Sequence, residues 1–280
     1  MAGVDNIPVV KFFPVLVGLP SMISSCPAHL IALAERLVDA SGGIVRRYFR
    51  SGLTVSDKPD LSPVTIADRE AESMIRTILA AQRPHDGIIG EEHGSKNPDA
   101  EFVWVIDPID GTKAFITGRP TFGTLIGLLH QGQPVLGIID QPVIGDRWFG
   151  AVGRATTLNG SPAKVRPCRS LAAATMGATT PDMFSGADAA AFARLSAATK
   201  FTVYGGDCYA YGVLASGFQD LVVEASLNLY DFAALAPVVA GAGGVMTDWQ
   251  GRPLDRNSDG RVIAAGDAGV HAEALRLLQG

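Results

Sequence analysis

The chain has 280 residues, of which 47% are hydrophobic and 18% charged, so it can bury a sizeable core in one large or two modest domains and is neither disordered nor fibrous. A formal net charge of −5 argues against a nucleic-acid backbone as the main partner. Cys26, Cys168 and Cys208 are too few and too scattered for a disulfide framework or a zinc site, and read as small buried hydrophobes in a reducing cytoplasm.

Residues 1–25 read as an extension. Phe12 to Ile23 is apolar but interrupted by Pro14, Gly18 and Pro20, and too short to span a bilayer. Lys11 before it and Ser24-Ser25-Cys26 after it give faint signal-peptide character, against which the cysteine usage weighs. From Pro27 the pattern is helical, with Leu30, Ala34, Leu37, Val38, Ser41 and Val45 on one stripe and Gly42-Gly43 weakening the later half. Ser51 to Ser62 is polar, bears Gly and Pro, and reads as a loop. Thr65 then N-caps a helix to about Gln82, with Asp68 in capping-box position and Ala71, Ile75, Ile78 and Leu79 facing the core. Gly87 to Gly90 is a short strand that delivers Glu91 and Glu92.

Phe102 to Ile106 is apolar, β-branched and aromatic, as a buried strand should be, and Asp107-Pro-Ile-Asp-Gly-Thr112 ends it in a turn. Two carboxylates at the end of a buried strand repel each other and call for a cation, and hard oxygen ligands suit Mg²⁺ or Mn²⁺ over zinc. Gly111 and Thr112 offer N–H groups and a hydroxyl where a helix begins, a geometry that holds phosphate. Alone, the string is also compatible with an acidic turn that caps a helix. A short helical segment to about Thr117 follows, then strands over Phe122–Leu129, Val135–Asp140 and Asp146–Ala151, with turns at Gln131-Gly132 and Pro142–Gly145. Asn159-Gly160 marks a turn near a domain junction, dividing an N-terminal α+β half (26–155) from a C-terminal half (156–280).

That second half alternates strands (Ala172–Gly177, Phe201–Tyr204, Asp220–Glu224, Val262–Ala265) with helices, which suggests an α/β arrangement. The helices are expected over Gly186–Thr199, Tyr209–Ser216, from Asp231 to about Ala240, and from about His271 to Leu278.

Four separated elements carry a family resemblance. Ser62-Pro-Val-Thr-Ile-Ala-Asp68, Gly90-Glu-Glu-His-Gly94, Asp107-Pro-Ile-Asp-Gly-Thr112, and Tyr230-Asp-Phe-Ala-Ala234 with Gly241-Ala-Gly-Gly244 stand in the order found in inositol monophosphatase-like, metal-dependent, lithium-sensitive phosphatases. The third element resembles the family signature, and Tyr-Asp stands where the family usually has Trp-Asp. The resemblance implies a layered αβαβα sandwich of the inositol monophosphatase/fructose bisphosphatase type, with the site in the cleft between the halves. It implies Glu91, Asp107, the Ile109 carbonyl, Asp110 and Asp231 as ligands of two or three Mg²⁺ ions, or Mn²⁺. Without it, Asp231 would read only as an acid at a helix start, worth up to about 1 kcal/mol against the macrodipole. By the same resemblance Glu91 and Thr112 orient the attacking water, Asp68 hydrogen-bonds the Thr112 hydroxyl, and Gly111 and Thr112 hold the phosphoryl group. Lys58 and Asp60 match the loop that closes over the metals.

Within the family, Gly206–Gly212, Val222–Asp231, Gly123–Ile126 and Thr247–Trp249 look most like the histidinol-phosphate phosphatases, although Asn228 departs from the Lys expected there. Glu224 and Asp207 could pair a cationic ammonium or imidazolium, which an inositol ring lacks; a cap is the other reading of Asp207. A small phosphate ester is therefore the expected partner of a cytoplasmic enzyme, with neither nucleic acid nor membrane involved and a homodimer by family habit. The rival is a catalytically idle metal-binding regulator on the same fold; Glu91, Asp107, Asp110, Thr112 and Asp231 together in one chain argue against it.

Overall fold

The computed structural model describes residues 23–52, 56–57 and 63–280, of 56–57 and 63–64 the backbone alone. Lys58, Asp60 and most of the apolar N-terminal stretch lie outside the described residues. None of the described helices is long and apolar enough to cross a membrane.

The stripe on the first helix, α1 (Ala28–Tyr48), is buried as its spacing requires, and Gly42-Gly43 does not end it. A small pair, β1 (Ser56–Asp57) and β2 (Pro63–Val64), leads to α2 (Ile66–Gln82). Both halves of the α2 capping box are made: Thr65 Oγ1 accepts from Ala67 N at 3.1 Å, and Asp68 Oδ2 accepts from Thr65 N at 2.8 Å. These two helices cover one face of an eight-stranded sheet. Its strands in chain order are β3 (Gly87–Gly90), β4 (Gly94–Lys96), β5 (Phe102–Asp110), β6 (Gly123–His130), β7 (Gln133–Gln141), β8 (Asp146–Ala151), β9 (Arg154–Leu158) and β10 (Ser161–Pro162), with the short helix α3 (Thr112–Ile116) after β5. Every pairing in it is antiparallel except β3 with β5. Gln131 (φ 50°) and Gly132 (φ 82°) make the β6–β7 turn, both left-handed as a tight hairpin demands. The sheet runs on to Pro162, through the Asn159-Gly160 turn and past residue 155.

The remaining chain builds a five-stranded sheet in the order β12 (Phe201–Tyr204), β11 (Thr175–Ala178), β13 (Leu221–Glu224), β15 (Val262–Ala265), β14 (Val245–Asp248). A 3₁₀ turn occupies Leu171–Ala173, so the strand expected from Ala172 starts at Thr175. The sheet is mixed: β12, β11 and β13 are parallel, while β15 runs against β13 and β14. Its outer face packs on α4 (Gly186–Ala198) and α8 (Ala268–Gln279) through Leu195, Leu221, Ile263 and Ala274. Between the sheets lie α5 (Asp207–Ala215), α6 (Leu229–Phe232) and α7 (Leu235–Gly241). One core joins them to both sheets, with Leu125, Ile139 and Trp148 from the first and Val222, Val262 and Ala264 from the second. The layers are thus αβαβα.

The central helices come unusually near the first sheet. Gly127, Gly137 and Gly150 stand opposite one another on β6, β7 and β8. A Cβ at Gly137 would lie 1.8 Å from the Ala234 carbonyl oxygen, and one at Gly150 would lie 2.5 Å from that of Pro237. Side chains on this row would hold the helix off, which is why three adjacent strands carry glycine there.

Asp220 ties the second sheet to its entry loop. Its buried carboxylate accepts from Arg166 Nε (2.6 Å) and Nη2 (2.7 Å) and from Thr175 N (2.8 Å) and Oγ1 (2.9 Å). Burial alone would raise its pKa, but Arg166 and Thr175 outweigh it and hold the carboxyl below the usual carboxylate value. A depressed folded pKa contributes stability that is present above the unfolded value, about 3.9, and is lost as pH falls through the folded one. Asp220→Ala, which strands these donors, is expected to cost about 1–3 kcal/mol in urea unfolding at pH 7. The gap from wild type should be constant above about pH 3.9 and narrow as pH falls below it towards the folded pKa, and a gap that did not narrow in acid would contradict the ionic account.

Candidate metal centre

Glu91 and Asp107 meet because β3 and β5 are parallel and in register, Gly90 opposite Ile106. Both strands end at one level, and Glu91 N donates to Ile106 O at 3.2 Å. Strand β5 does not stop at Ile106 as its apolar run suggests. It continues in extended form to Asp110 through a bulge: Asp107 pairs with Leu125 and Asp110 with Gly123, three residues against two. In a regular strand, carboxylates three apart point to opposite faces; the extra residue turns Asp110 back beside Asp107. Pro108, which has no N–H to give a ladder, sits in the bulge, and its carbonyl accepts from Thr124 Oγ1 at 2.8 Å. Asp107 Oδ1 takes Ile109 N at 3.0 Å. Gly111 then adopts φ 86°, and a Cβ there would lie 2.9 Å from Asp207 Cβ.

Asp231 arrives from the other half of the chain. It does not open a long helix: Asn228 is the N-cap of α6, Asp231 is its third residue, and α7 starts separately at Leu235. Asp231 Oδ2 accepts from Asn228 N at 2.6 Å, so its orientation is fixed within four residues. Asp107, Asp110 and Asp231 each bring one carboxylate oxygen, and these oxygens lie within 4.8 Å of one another. Asp110 Oδ2 also accepts from Cys208 N at 2.6 Å, at the start of α5.

These acids strain against one another. Burial first, then Glu91, Asp110 and Asp231, push the Asp107 carboxyl well above the usual carboxylate range. Burial, Asp207 and Asp231 do the same to Asp110. Burial, opposed by the Asn228 N–H and reinforced by Glu91 and Glu224, brings Asp231 to about 7. A divalent cation would resolve this conflict. The donors are all hard oxygens gathered within 4.8 Å of one another, so the set suits a hard divalent cation such as Mg²⁺, Mn²⁺ or Ca²⁺.

Not every expected contact is made. The Thr112 hydroxyl donates to the Ile109 carbonyl at 3.1 Å, not to Asp68. Asp68 is fully buried; its Oδ2 is taken by the Thr65 cap and its Oδ1 has no hydrogen-bond partner. Burial raises its carboxyl to about 6, with Glu92 and Glu91 adding to the effect and Thr65 opposing it. The Asp68–Thr112 bond is therefore replaced by two local ones.

Beside the carboxylates lies a cleft of about 140 Å³, lined by Asp110, Thr179, Asp207, Tyr211, Glu224 and Asp231 among others. Glu224 is buried, accepting from Thr179 N (3.0 Å) and Tyr211 Oη (2.9 Å), and burial lifts its carboxyl to about 7 against these bonds. Asp207 is the first residue of α5, at φ 43°, and makes no side-chain cap there. Burial raises it to about 6, with Arg119 and Lys113 pulling the other way. Thr179 and Arg119 have no motif of their own in the sequence; Tyr211 lies within the Gly206–Gly212 stretch, and Lys113 adjoins the signature. A larger apolar cavity, about 370 Å³ and lined by Pro134, Val152, Ala240 and Met246 among others, holds none of these carboxylates.

Known proteins share both the fold and its extent. Over 257 residues the chain is 48% identical to the bifunctional phosphatase IMPL2, chloroplastic, of Arabidopsis thaliana, covering 89% of this chain and 74% of that one. It is 36% identical to a histidinol-phosphatase of Mycobacterium tuberculosis, over 79% of this chain and 88% of that protein. An inositol monophosphatase structure from Zymomonas mobilis superposes with a TM-score of 0.84 at 49% identity, covering 91% of this chain and all of that one. The pattern of the inositol monophosphatase family matches residues 27–279, so the chain belongs to the inositol monophosphatase family of phosphoric monoester hydrolases acting on small phosphate esters.

Proposed function

We propose that the chain is a Mg²⁺-dependent histidinol-phosphate phosphatase, converting L-histidinol phosphate and water to L-histidinol and phosphate in histidine biosynthesis. The observation that carries this reading is the charge of the cleft. Beyond Asp110 and Asp231, which serve the metals, Asp207 and Glu224 also line it, and among the described residues no Lys, Arg or His does. Acids left over from metal binding suit a cationic organic group. A neutral polyol gains less from them.

Glu91, Asp107, the Ile109 carbonyl, Asp110 and Asp231 would hold two or three Mg²⁺ ions, with Mn²⁺ able to substitute. When bound, such ions supply charge to the attacked phosphoryl group and to the leaving ester oxygen. The chain's own residues do the positioning. The Thr112 hydroxyl donates its hydrogen bond to the Ile109 carbonyl and keeps oxygen lone pairs for a water, which Glu91 would orient from the other side. The buried, unpartnered Asp68 Oδ1 is an acceptor reserved for the same network. The first N–H groups of α3, at Gly111 and Thr112, have no partner within that helix and suit phosphoryl oxygens. A homodimer and a cytoplasmic setting belong to the same proposal; the three free cysteines support the latter.

Inositol 1-phosphate is the second reading, favoured by the 49% identity to the Zymomonas mobilis inositol monophosphatase. A panel of histidinol phosphate, inositol 1-phosphate and adenosine 3′,5′-bisphosphate separates the two, and preference for the inositol ester would end the histidinol assignment. Glu224→Gln sharpens the test. Losing a charge-assisted contact of about 1.5–3 kcal/mol should lower kcat/KM for histidinol phosphate roughly tenfold to hundredfold. Turnover of p-nitrophenyl phosphate, which offers no cation, should barely change. Equal losses on both would mean that Glu224 serves only to hold Thr179 and Tyr211.

A further inference from the structure

We infer that Glu72 is a positioning residue that preorganises the Glu91 turn for metal binding, an inference that rests on the proposed role of Glu91. Glu72 lies on α2 one turn after Asp68 and is fully buried. Its carboxylate does not face solvent as a mid-helix glutamate usually does. It reaches across to the turn between β3 and β4, where Oε2 accepts from Glu92 N at 2.7 Å and Oε1 from His93 N at 3.2 Å.

The other end of the turn is pinned by the sheet, through Glu91 N and Ile106 O. Glu91 is thus the residue between two anchors, one on β5 and one on α2. Arg76 completes the arrangement. Its Nε donates to Glu72 Oε1 at 2.6 Å, and its Nη2 donates to the Gly94 carbonyl. The buried charge is therefore paired by a cation that also ties down the far side of the same turn. Gly90 is part of the design, because a Cβ there would lie 2.1 Å from Glu72 Oε1 and force the carboxylate away.

Bonding two successive backbone N–H groups to one carboxylate fixes the direction of the peptide planes that follow Glu91, and with it where the Glu91 side chain can point. Groups that orient a ligand in this way typically change metal affinity 10–100-fold when removed. Helix α2 then contributes to the site twice from one face, through Asp68 and, indirectly, through Glu72.

The test uses the full chain and Mn²⁺ alone. Calorimetric titration of folded, metal-free Glu72→Gln should give affinity at least about tenfold weaker than wild type, because the amide cannot accept from both N–H groups as the carboxylate does. Arg76→Met, at a more exposed position, should weaken affinity in the same direction and keeps the buried carboxylate. In wild type, the Glu92 and His93 amides should be protected from hydrogen exchange before any metal is added. A folded Glu72→Gln protein with wild-type Mn²⁺ affinity would overturn the inference, as would rapid exchange of those two amides. A loss of unfolding temperature without loss of Mn²⁺ affinity would reduce Glu72 to a structural role. If wild type itself bound no Mn²⁺, the metal reading of Glu91 would fall first.

Discussion

Asp107→Asn is expected to lower kcat by roughly 10²–10³-fold or more, the loss that follows removal of one preorganised electrostatic group, while the chain stays folded. Asn keeps the carbonyl oxygen that accepts from Ile109 N, so the bulge in β5 has no reason to change. What disappears is a charge that burial, Glu91, Asp110 and Asp231 all oppose. The metal-free variant should therefore melt at or above the wild-type temperature. Wild type should gain stability as Mg²⁺ is added, since a ligand bound only by the native state stabilises it, and Asp107→Asn should lose most of that gain. Melting curves with and without Mg²⁺, beside phosphate release, check both halves. Near-full Mg²⁺-dependent turnover in the variant would refute the assignment of the metal ligands.

Gly137→Ala should be strongly disruptive, since among the described glycines Gly137 leaves a new Cβ the least room. The new Cβ would sit 1.8 Å from the Ala234 carbonyl oxygen, which is backbone and cannot rotate out of the way. Overpacking of a rigid contact costs typically 1–3 kcal/mol and more when backbone must move; about 3 kcal/mol corresponds to a fall in Tm of roughly 6–12 °C for a domain of this size. Activity at permissive temperature should drop as well, because Ala234 lies three residues beyond Asp231 and cannot shift without it. Gly43→Ala is the control. It meets nothing within 4 Å inside α1, and should stabilise by about 0.5–1 kcal/mol through helix propensity alone. Thermal unfolding of the two variants side by side decides the matter, and equal melting temperatures would mean the glycine row is not a packing requirement.

What the sequence made legible follows the reach of each signal. Thr65 and Asp68 announce a helix start because their bonds close within three residues, and Gln131-Gly132 announces a hairpin for the same reason. The signature around Asp107 was legible as an acidic turn, but its path was not. Whether a strand stops at a proline or passes it through a bulge depends on β6, whose Thr124 and Gly123 complete the pairing. Asp231 misled as a helix opener because Asn228, the real cap, looks like any loop residue. Strands β9, β10 and β14 have at most five residues each and carry too little alternation to be seen alone. Glu72 was invisible for a different reason: a glutamate followed four residues later by arginine on a helix is the usual surface pair. Only the turn at Glu92 and His93, brought over it by the sheet, makes it part of the site. The glycines at 127, 137 and 150 likewise form a row only once three strands have paired.

The sandwiching of α7 between the two sheets has a consequence for a chain emerging from the ribosome. The first sheet has all its strands once Pro162 is made, but of the central helices that cover its inner face α5 begins at Asp207 and α7 only at Leu235. At about 5–20 residues per second, the interval of about 70 residues to Leu235 leaves the row of Gly127, Gly137 and Gly150 without α7 for roughly 4–14 s. During this window the nascent sheet presents a glycine-striped apolar surface of the kind that chaperones bind and that neighbouring chains on a polysome can stack against. Slow synthesis between residues 163 and 235 should therefore reduce soluble yield more than an equal delay placed after the helix is complete.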